Sequence, residues 1–234
     1  MTGPIAIAFE DNHLVAVHKP AGLLSQAAAA GDDNVVDQVK AYLKAKYDKP
    51  GNVYVGLVHR LDRNVSGIML LARTSKAAAR LTKAFAKRHV DKGYLAVVEG
   101  TPAPHRGRLE NQLAPRPGGA RGVMQHPDGK VARLRYQSVA DDGRRSVLAV
   151  HLETGRKHQI RAQLALAGHP IVGDPLYGKH DRLLRRPMLH AWRLALEHPV
   201  RREPLELRSP LVAPMDTLCA HLGFDLGQPW PFTE

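Results

Sequence analysis

Hydrophobic and polar positions alternate along this chain in short stretches whose period switches repeatedly between two and about 3.6 residues. Residues 5–9 and 14–18 read as strands around the polar turn Glu10-Asp11-Asn12. Asn34 is placed to cap a helix in which Val35, Val36, Val39, Tyr42 and Leu43 recur at helical spacing, and Pro50-Gly51 closes that unit. Residues 53–58 are rich in β-branched side chains and read as a strand. The continuous apolar run 67–72 predicts a strand buried on both faces. Ser75 opens a two-sided helix with Ala77, Leu81 and Phe85 on the core side and Lys76, Arg80, Lys83 and Lys87 in one basic stripe. That stripe suits either a solvated face or contact with RNA. Residues 92–99 form another predicted strand.

After Gly100 the composition shifts. The Pro, Gly and Arg clusters of residues 102–130 read as an exposed loop or insertion. Residues 131–140 and 144–152 then alternate like a hairpin across Asp141-Asp142-Gly143. A helix over 157–167, strands over 188–197 and 205–208, and a short helix after Pro214 complete the pattern. Without an internal repeat or a linker beyond 102–130, the expectation is a single mixed α/β (α+β) domain over residues 1–234.

Composition narrows the function classes. Apolar residues make up 44% and charged residues 24% of 234, which excludes a disordered or fibrous chain. No run approaches the ~18 apolar residues of a membrane span, and the start MTGPIAIAFED lacks the basic opening of a signal peptide. The single cysteine, Cys219, cannot form an internal disulfide, lies in an apolar stretch and reads as core. A cytoplasmic location is expected. The net charge of +12 favours a polyanionic partner, whereas only 5% aromatics argues against a stacking platform for single strands. The histidines number 13 but are scattered, without His-Glu-x-x-His or Cys/His clusters, so no metal site is expected.

Four stretches carry candidate chemistry. His59-Arg60-Leu61-Asp62-Arg63-Asn64-Val65-Ser66-Gly67 sits between apolar strands and sets a carboxylate between arginines, which favour its ionised form. Such a group suits a nucleophile, general base or metal ligand, and equally a structural ion pair. Thr154-Gly155-Arg156-Lys157-His158-Gln159-Ile160-Arg161 opens a helix whose free N–H groups suit phosphate, a weak local signal. Gly168-His169-Pro170-Ile171-Val172-Gly173-Asp174-Pro175-Leu176-Tyr177-Gly178 is a turn-rich loop. In Lys92-Gly93-Tyr94-Leu95-Ala96, Tyr94 has one side of a strand from which to face a cleft.

In this order, and with Lys19-Pro-Ala-Gly22 ahead of them, these blocks resemble the motifs of the RluA-type RNA pseudouridine synthases over about residues 5 to 210. The resemblance implies that family's fold, a central, mostly antiparallel sheet flanked by helices with a catalytic cleft across it. It implies a short form without an N-terminal S4 domain. The implied activity is isomerisation of uridine to pseudouridine in ribosomal or transfer RNA, without cofactor or metal, in a monomer that does not engage membranes. Carried onto this sequence, it makes Asp62 the catalytic carboxylate, Arg161 its salt-bridge partner and Tyr94 the residue packed against the target base. Arg60 fills the gap left by a flipped nucleotide, and Arg63, Arg156, His158 and Gln159 contact RNA or base. Val65, Lys157, Gln163 and Gln26 depart from the family's usual residues and bear on substrate choice more than on chemistry. The runner-up is a non-catalytic RNA-binding protein on the same fold; a base glycosylase releasing free uracil is a third reading.

Overall fold

The structure is a computed structural model and describes residues 3–179, 181 and 183–232. The chain partitions into two compact units, Met1–Asp91 with Ala191–Pro210, and Lys92–His190 with Leu211–Glu234.

In the first unit, strands β1 (Ala6–Glu10), β2 (Leu14–Lys19) and β4 (Ser66–Ala72) lie side by side, with β10 (Leu189–Glu197) next to β4 and β11 (Pro204–Arg208) paired to β10. The β1–β2, β2–β4 and β10–β11 pairs are antiparallel. Every residue of β4 is buried, as its unbroken apolar run predicts. Of residues 53–58, only Gly56 and Leu57 (β3) join a ladder, pairing with Ala72 and Leu71. Residues 53–55 stay outside it despite the β-branched Val53 and Val55, because strand propensity does not by itself supply a partner edge.

Two helices complete this unit. α1 (Val35–Lys46) begins where expected: Asn34 Oδ1 accepts a hydrogen bond from the Asp37 N–H at 3.0 Å. It buries Val35, Val39 and Leu43. α2 (Ser75–Ala86) is capped by Thr74, whose Oγ1 accepts from the Ala77 N–H at 3.2 Å, and it buries Ala77 and Leu81.

The second unit is a sheet in the order β5 (Val90–Glu99), β9 (Arg145–Leu152), β8 (Lys130–Asp141), β6 (Arg106–Pro115) and β7 (Val123–Gln125). All four neighbouring pairs are antiparallel. Its core lies along Leu95–Val98 and Val147–Val150. Against it lies α3 (Gln159–Leu166), and α4 (Met215–His221) follows Pro214. Cys219 is 1% exposed, and burial pushes its thiol up to about 12.

The segment expected as a loop at 102–130 instead carries β6 and β7. β6 alternates between exposed and half-buried residues with little apolar character, so its strand signal is hidden. Charge pairs across strands replace apolar ones: Arg133 reaches Glu110 at 2.9 Å, and Arg108 reaches Glu153 at 3.3 Å. Residues 102–105, 116–122 and 126–129 keep loop character, and the turn between β6 and β7 sets Gly118, Gly119 and Gly122 at positive φ.

Candidate active site

Asp62 is half-buried on a loop that a second loop holds in place. Lys19, 1% exposed, donates from Nζ to the carbonyls of Pro20 at 2.9 Å, Leu23 at 2.7 Å and Arg63 at 3.0 Å. Ser25 Oγ donates to the Leu61 carbonyl at 2.7 Å and accepts from the Leu61 N–H at 3.1 Å. Gly22 N–H donates to the Arg63 carbonyl at 2.8 Å, while Arg63 Nε returns a bond to the Gly22 carbonyl at 2.9 Å. The Lys19-Pro20-Ala21-Gly22 turn is therefore the clamp of the Asp62 loop. Leu61 and Val65 anchor the loop in the core on either side of Asp62, and Val65 N–H closes a turn onto the Asp62 carbonyl at 3.0 Å. Such bonding fixes a backbone that would otherwise cost ordering entropy when substrate arrives.

The loop's two ends are equally constrained. His59 accepts the Leu70 N–H at 2.9 Å through Nε2, and its ring stacks on Phe85 of α2 with centroids 4.8 Å apart. At the other end Gly67 has φ +128°, and a Cβ there would sit 2.2 Å from the Ala191 carbonyl oxygen. Only glycine satisfies both the backbone angle and that close approach. Arg60 and Arg63 are exposed, and Arg60 has no side-chain partner among the described residues.

In the second unit Tyr94 is half-buried on β5, opposite Val150 of β9. Its neighbour Gly93 leaves room for the indole of Trp230, which a Cβ would approach to 2.7 Å. The C-terminal segment is thus docked: Trp230 is 5% exposed and lies edge-on to Phe232, which in turn contacts His151 and the Arg135 guanidinium.

The helix expected from residue 157 starts at Gln159, because His158 adopts a left-handed conformation with φ +51°. α3 is buried from Gln159 to Leu164, so each polar side chain on it requires partners. Gln159, 2% exposed, accepts at Oε1 from Thr154 Oγ1 at 2.8 Å and the Arg156 N–H at 3.0 Å. It donates from Nε2 to the Arg133 carbonyl at 3.0 Å and Gln163 Oε1 at 2.9 Å. Its amide is fully used inside the protein, so Gln159 shapes the 154–159 turn rather than presenting an RNA contact. Gln163, also buried, donates to Asn111 Oδ1 at 2.8 Å and the Ala132 carbonyl at 3.1 Å. Arg156 is exposed, with Nε on the Val131 carbonyl at 3.1 Å.

Arg161 is 7% exposed, and Asp174 engages it through both carboxylate oxygens, Nε to Oδ2 at 2.6 Å and Nη2 to Oδ1 at 2.8 Å. Asp174 Oδ1 also accepts the N–H groups of Leu176 at 2.9 Å and Tyr177 at 3.2 Å. Burial opposes ionisation of Asp174, but the Arg161 and backbone bonds outweigh it and hold its carboxyl below the ordinary range. Tyr177 covers the Arg161 guanidinium at 5.2 Å, accepts the Val123 N–H at 2.6 Å, and its hydroxyl lies 3.1 Å from His158 Nδ1. The turn-rich loop after Gly168 is thus the seat of Arg161. Asp174 and Tyr177 carry no assigned role in the sequence motif; their signal there is an acid and an aromatic among turn glycines. Lys19 stands in the Lys19-Pro-Ala-Gly22 block without a role of its own, and Trp230 carries no local signal of one.

This architecture is that of the pseudouridine synthases: human RNA Pseudouridylate Synthase Domain Containing 4 superposes with a TM-score of 0.78 at 24% identity, covering 94% of each chain. Residues 13–166 match the RNA pseudouridylate synthase family, and the chain belongs to it. Among curated relatives it is 33% identical to the uncharacterized RNA pseudouridine synthase YhcT of Bacillus subtilis (strain 168), over 93% of this chain and 72% of that protein. It is 32% identical to the ribosomal large subunit pseudouridine synthase D of Zymomonas mobilis subsp. mobilis, over 92% of this chain and 72% of that protein. The protein is an isomerase acting on RNA. No helix among the described residues is long and apolar enough to cross a membrane.

Proposed function

We propose that this protein converts uridine to pseudouridine in the RNA of the large ribosomal subunit, with Asp62 as the catalytic carboxylate. The observation that carries this reading is the clamp on the Asp62 loop. Buried Lys19 and Ser25, with Gly22, fix the backbone on both sides of one carboxylate while leaving Arg60 and Arg63 exposed beside it. Relatives named for the large ribosomal subunit support the choice of RNA. Tyr94, set against the target base, and Arg161 enter this reading as residues of the reaction. Arg60 occupies the place vacated by the flipped nucleotide.

The test is tritium release from 5-tritiated uridine in large-subunit ribosomal RNA and, separately, in transfer RNA. Asp62→Asn keeps the shape of the side chain and removes its charge. It is expected to abolish release while leaving the melting curve and RNA affinity near wild type. Wild-type turnover in Asp62→Asn would remove Asp62 from the mechanism. Wild-type protein that binds RNA without forming pseudouridine would favour the non-catalytic RNA-binding reading, and release from transfer RNA alone would reassign the substrate.

A further inference from the structure

We infer that the outer face of α2 is a docking surface for the phosphate backbone of the substrate RNA, separate from the Asp62 loop; this rests on the proposed action on RNA. Lys76, Arg80, Lys83 and Lys87 are all exposed. At 3.6 residues per turn they fall within an arc of about 60°, and they span about 16 Å of helix.

What distinguishes this face is the state of its charges. Five other arginines of the same unit are matched to carboxylates, Arg73 to Glu10, Arg193 to Asp91 and Glu206, Arg201 to Asp11, Arg202 to Glu197 and Arg208 to Glu206, whereas Arg60 and Arg63 of the Asp62 loop and Arg88 just past α2 meet none among the described residues. The side chains of Lys76, Lys83 and Lys87 meet no carboxylate among the described residues, and Arg80 bonds only the Pro199 carbonyl, at 2.8 Å. Four cations without a carboxylate partner are therefore gathered along one side of one helix.

The N-terminal end of the stripe also runs against helix stability, although Lys83 in the last turn favours it. α1 follows the macrodipole, with Asp37 in its first turn and Lys44 and Lys46 in its last. α2 has no acid in its first turn and sets Lys76 there, at the end where a cation is disfavoured. A face selected only for solvation gains nothing from that choice, whereas a polyanion laid along the helix does. The inner side of α2 carries Phe85 onto the ring of His59, three residues before Asp62. RNA seated on the outer face is thereby held in register with the Asp62 loop by one helix.

The test is a triple variant, Lys76→Gln/Lys83→Gln/Lys87→Gln, binding unmodified large-subunit ribosomal RNA transcribed in vitro. Binding is measured at several salt concentrations, beside a melting curve. If each lysine neutralises one phosphate, the slope of log K against log salt becomes shallower by about 2, and affinity at 0.1 M salt falls roughly 100-fold. Turnover at saturating RNA stays at the wild-type level while KM rises. The triple Lys→Arg variant at the same positions keeps the wild-type slope. A control triple on α1 and the turn after it, Lys40→Gln/Lys44→Gln/Lys49→Gln, removes the same net charge and shifts the slope by less than 1. An unchanged slope in the α2 variant overturns the inference, as does an equal loss in the α1 control, which would mean that net charge alone attracts RNA. Failure of the functional reading shows separately, as wild-type protein that binds this RNA and leaves its uridines unchanged.

Discussion

Asp174 grips Arg161 as a fork, with two hydrogen bonds of 2.6 and 2.8 Å between a fully buried carboxylate and a guanidinium that is itself 7% exposed. The carboxylate's remaining capacity is taken by the N–H groups of Leu176 and Tyr177. A buried ion pair of this kind is held by geometry: breaking one side leaves the other charge uncompensated in a medium that cannot solvate it.

Asp174→Asn is expected to destabilise the protein by about 3 kcal/mol or more and to lower turnover, because Arg161 loses the group that orients it. The pH dependence follows from the lowered carboxyl of Asp174. A group whose folded-state pKa is depressed contributes its stability above the ordinary value of 3.8 and loses it as pH falls through the folded value. Urea titrations at pH 7 and at pH 3 should therefore show the gap between wild type and variant shrinking at the lower pH. A gap that does not change with pH would mean that shape, not charge, is what Asp174 supplies.

Lys19 tests the clamp on the Asp62 loop. Its ammonium ties together the carbonyls of Pro20, Leu23 and Arg63 in the core. Lys19→Met fills much of the same space but leaves those carbonyls without their donor, at an expected cost of about 2–3 kcal/mol in stability. The sharper readout is kinetic. A loop that has lost its backbone restraint should lower kcat at least tenfold with KM changed little, since Lys19 is buried and cannot touch RNA. A rise in KM at constant kcat would assign Lys19 to binding instead.

The order of elements was legible because each rests on local chemistry: the Asn34 cap, the unbroken apolar run of β4, the Asp141-Asp142-Gly143 turn between β8 and β9. β6 was not, since its alternation is carried by arginines, glutamates and amides whose partners lie on other strands. The same limit applies at the candidate site. The His59–Gly67 and Thr154–Arg161 motifs could be picked out by residue type, but nothing near Asp62 in sequence says that Lys19 holds its loop. Gln159 shows the converse: a polar residue at a helix start invites a ligand role, and only the fold reveals that all its hydrogen bonds are spent internally. Long-range satisfaction of buried polar groups has no local signature.

Glu10 marks the acid limit of the fold's first unit. Burial by itself would raise its pKa, but hydrogen bonds from Lys46, Tyr47 and Tyr42 and the charge of Arg73 outweigh it and hold the carboxyl at about 2. By the same linkage, this contribution is complete above the ordinary value of 4.5 and disappears as pH falls from 4.5 to about 2. Glu10→Gln should therefore lower the melting temperature at pH 7, and its melting temperature should fall less than that of the wild type between pH 4.5 and 2. Parallel losses across that interval would show that Glu10 is not one of the groups whose protonation unfolds the protein.

The last prediction concerns the contact behind Tyr94. Gly93 lacks the atom that would otherwise sit 2.7 Å from Cζ2 of the Trp230 ring, and that ring is rigid and buried, so it cannot yield as the end of a flexible side chain would. Gly93→Ala must displace either the indole or β5, and β5 carries Tyr94 at the next position. The expected cost is about 1–3 kcal/mol, typical of an overpacked core, with a fall in kcat as Tyr94 shifts. Trp230→Leu alone leaves a gap and also destabilises, by roughly 2–4 kcal/mol. Combined, the two changes should partly cancel, because the smaller side chain makes room for the new methyl group. Residues in contact couple in this way, whereas distant ones add. The cycle is read by urea unfolding of the four proteins, and by kcat for each. Strict additivity in both readouts would mean that the C-terminal segment does not rest on Gly93 in solution, and that Tyr94 is positioned by the β5–β9 ladder alone.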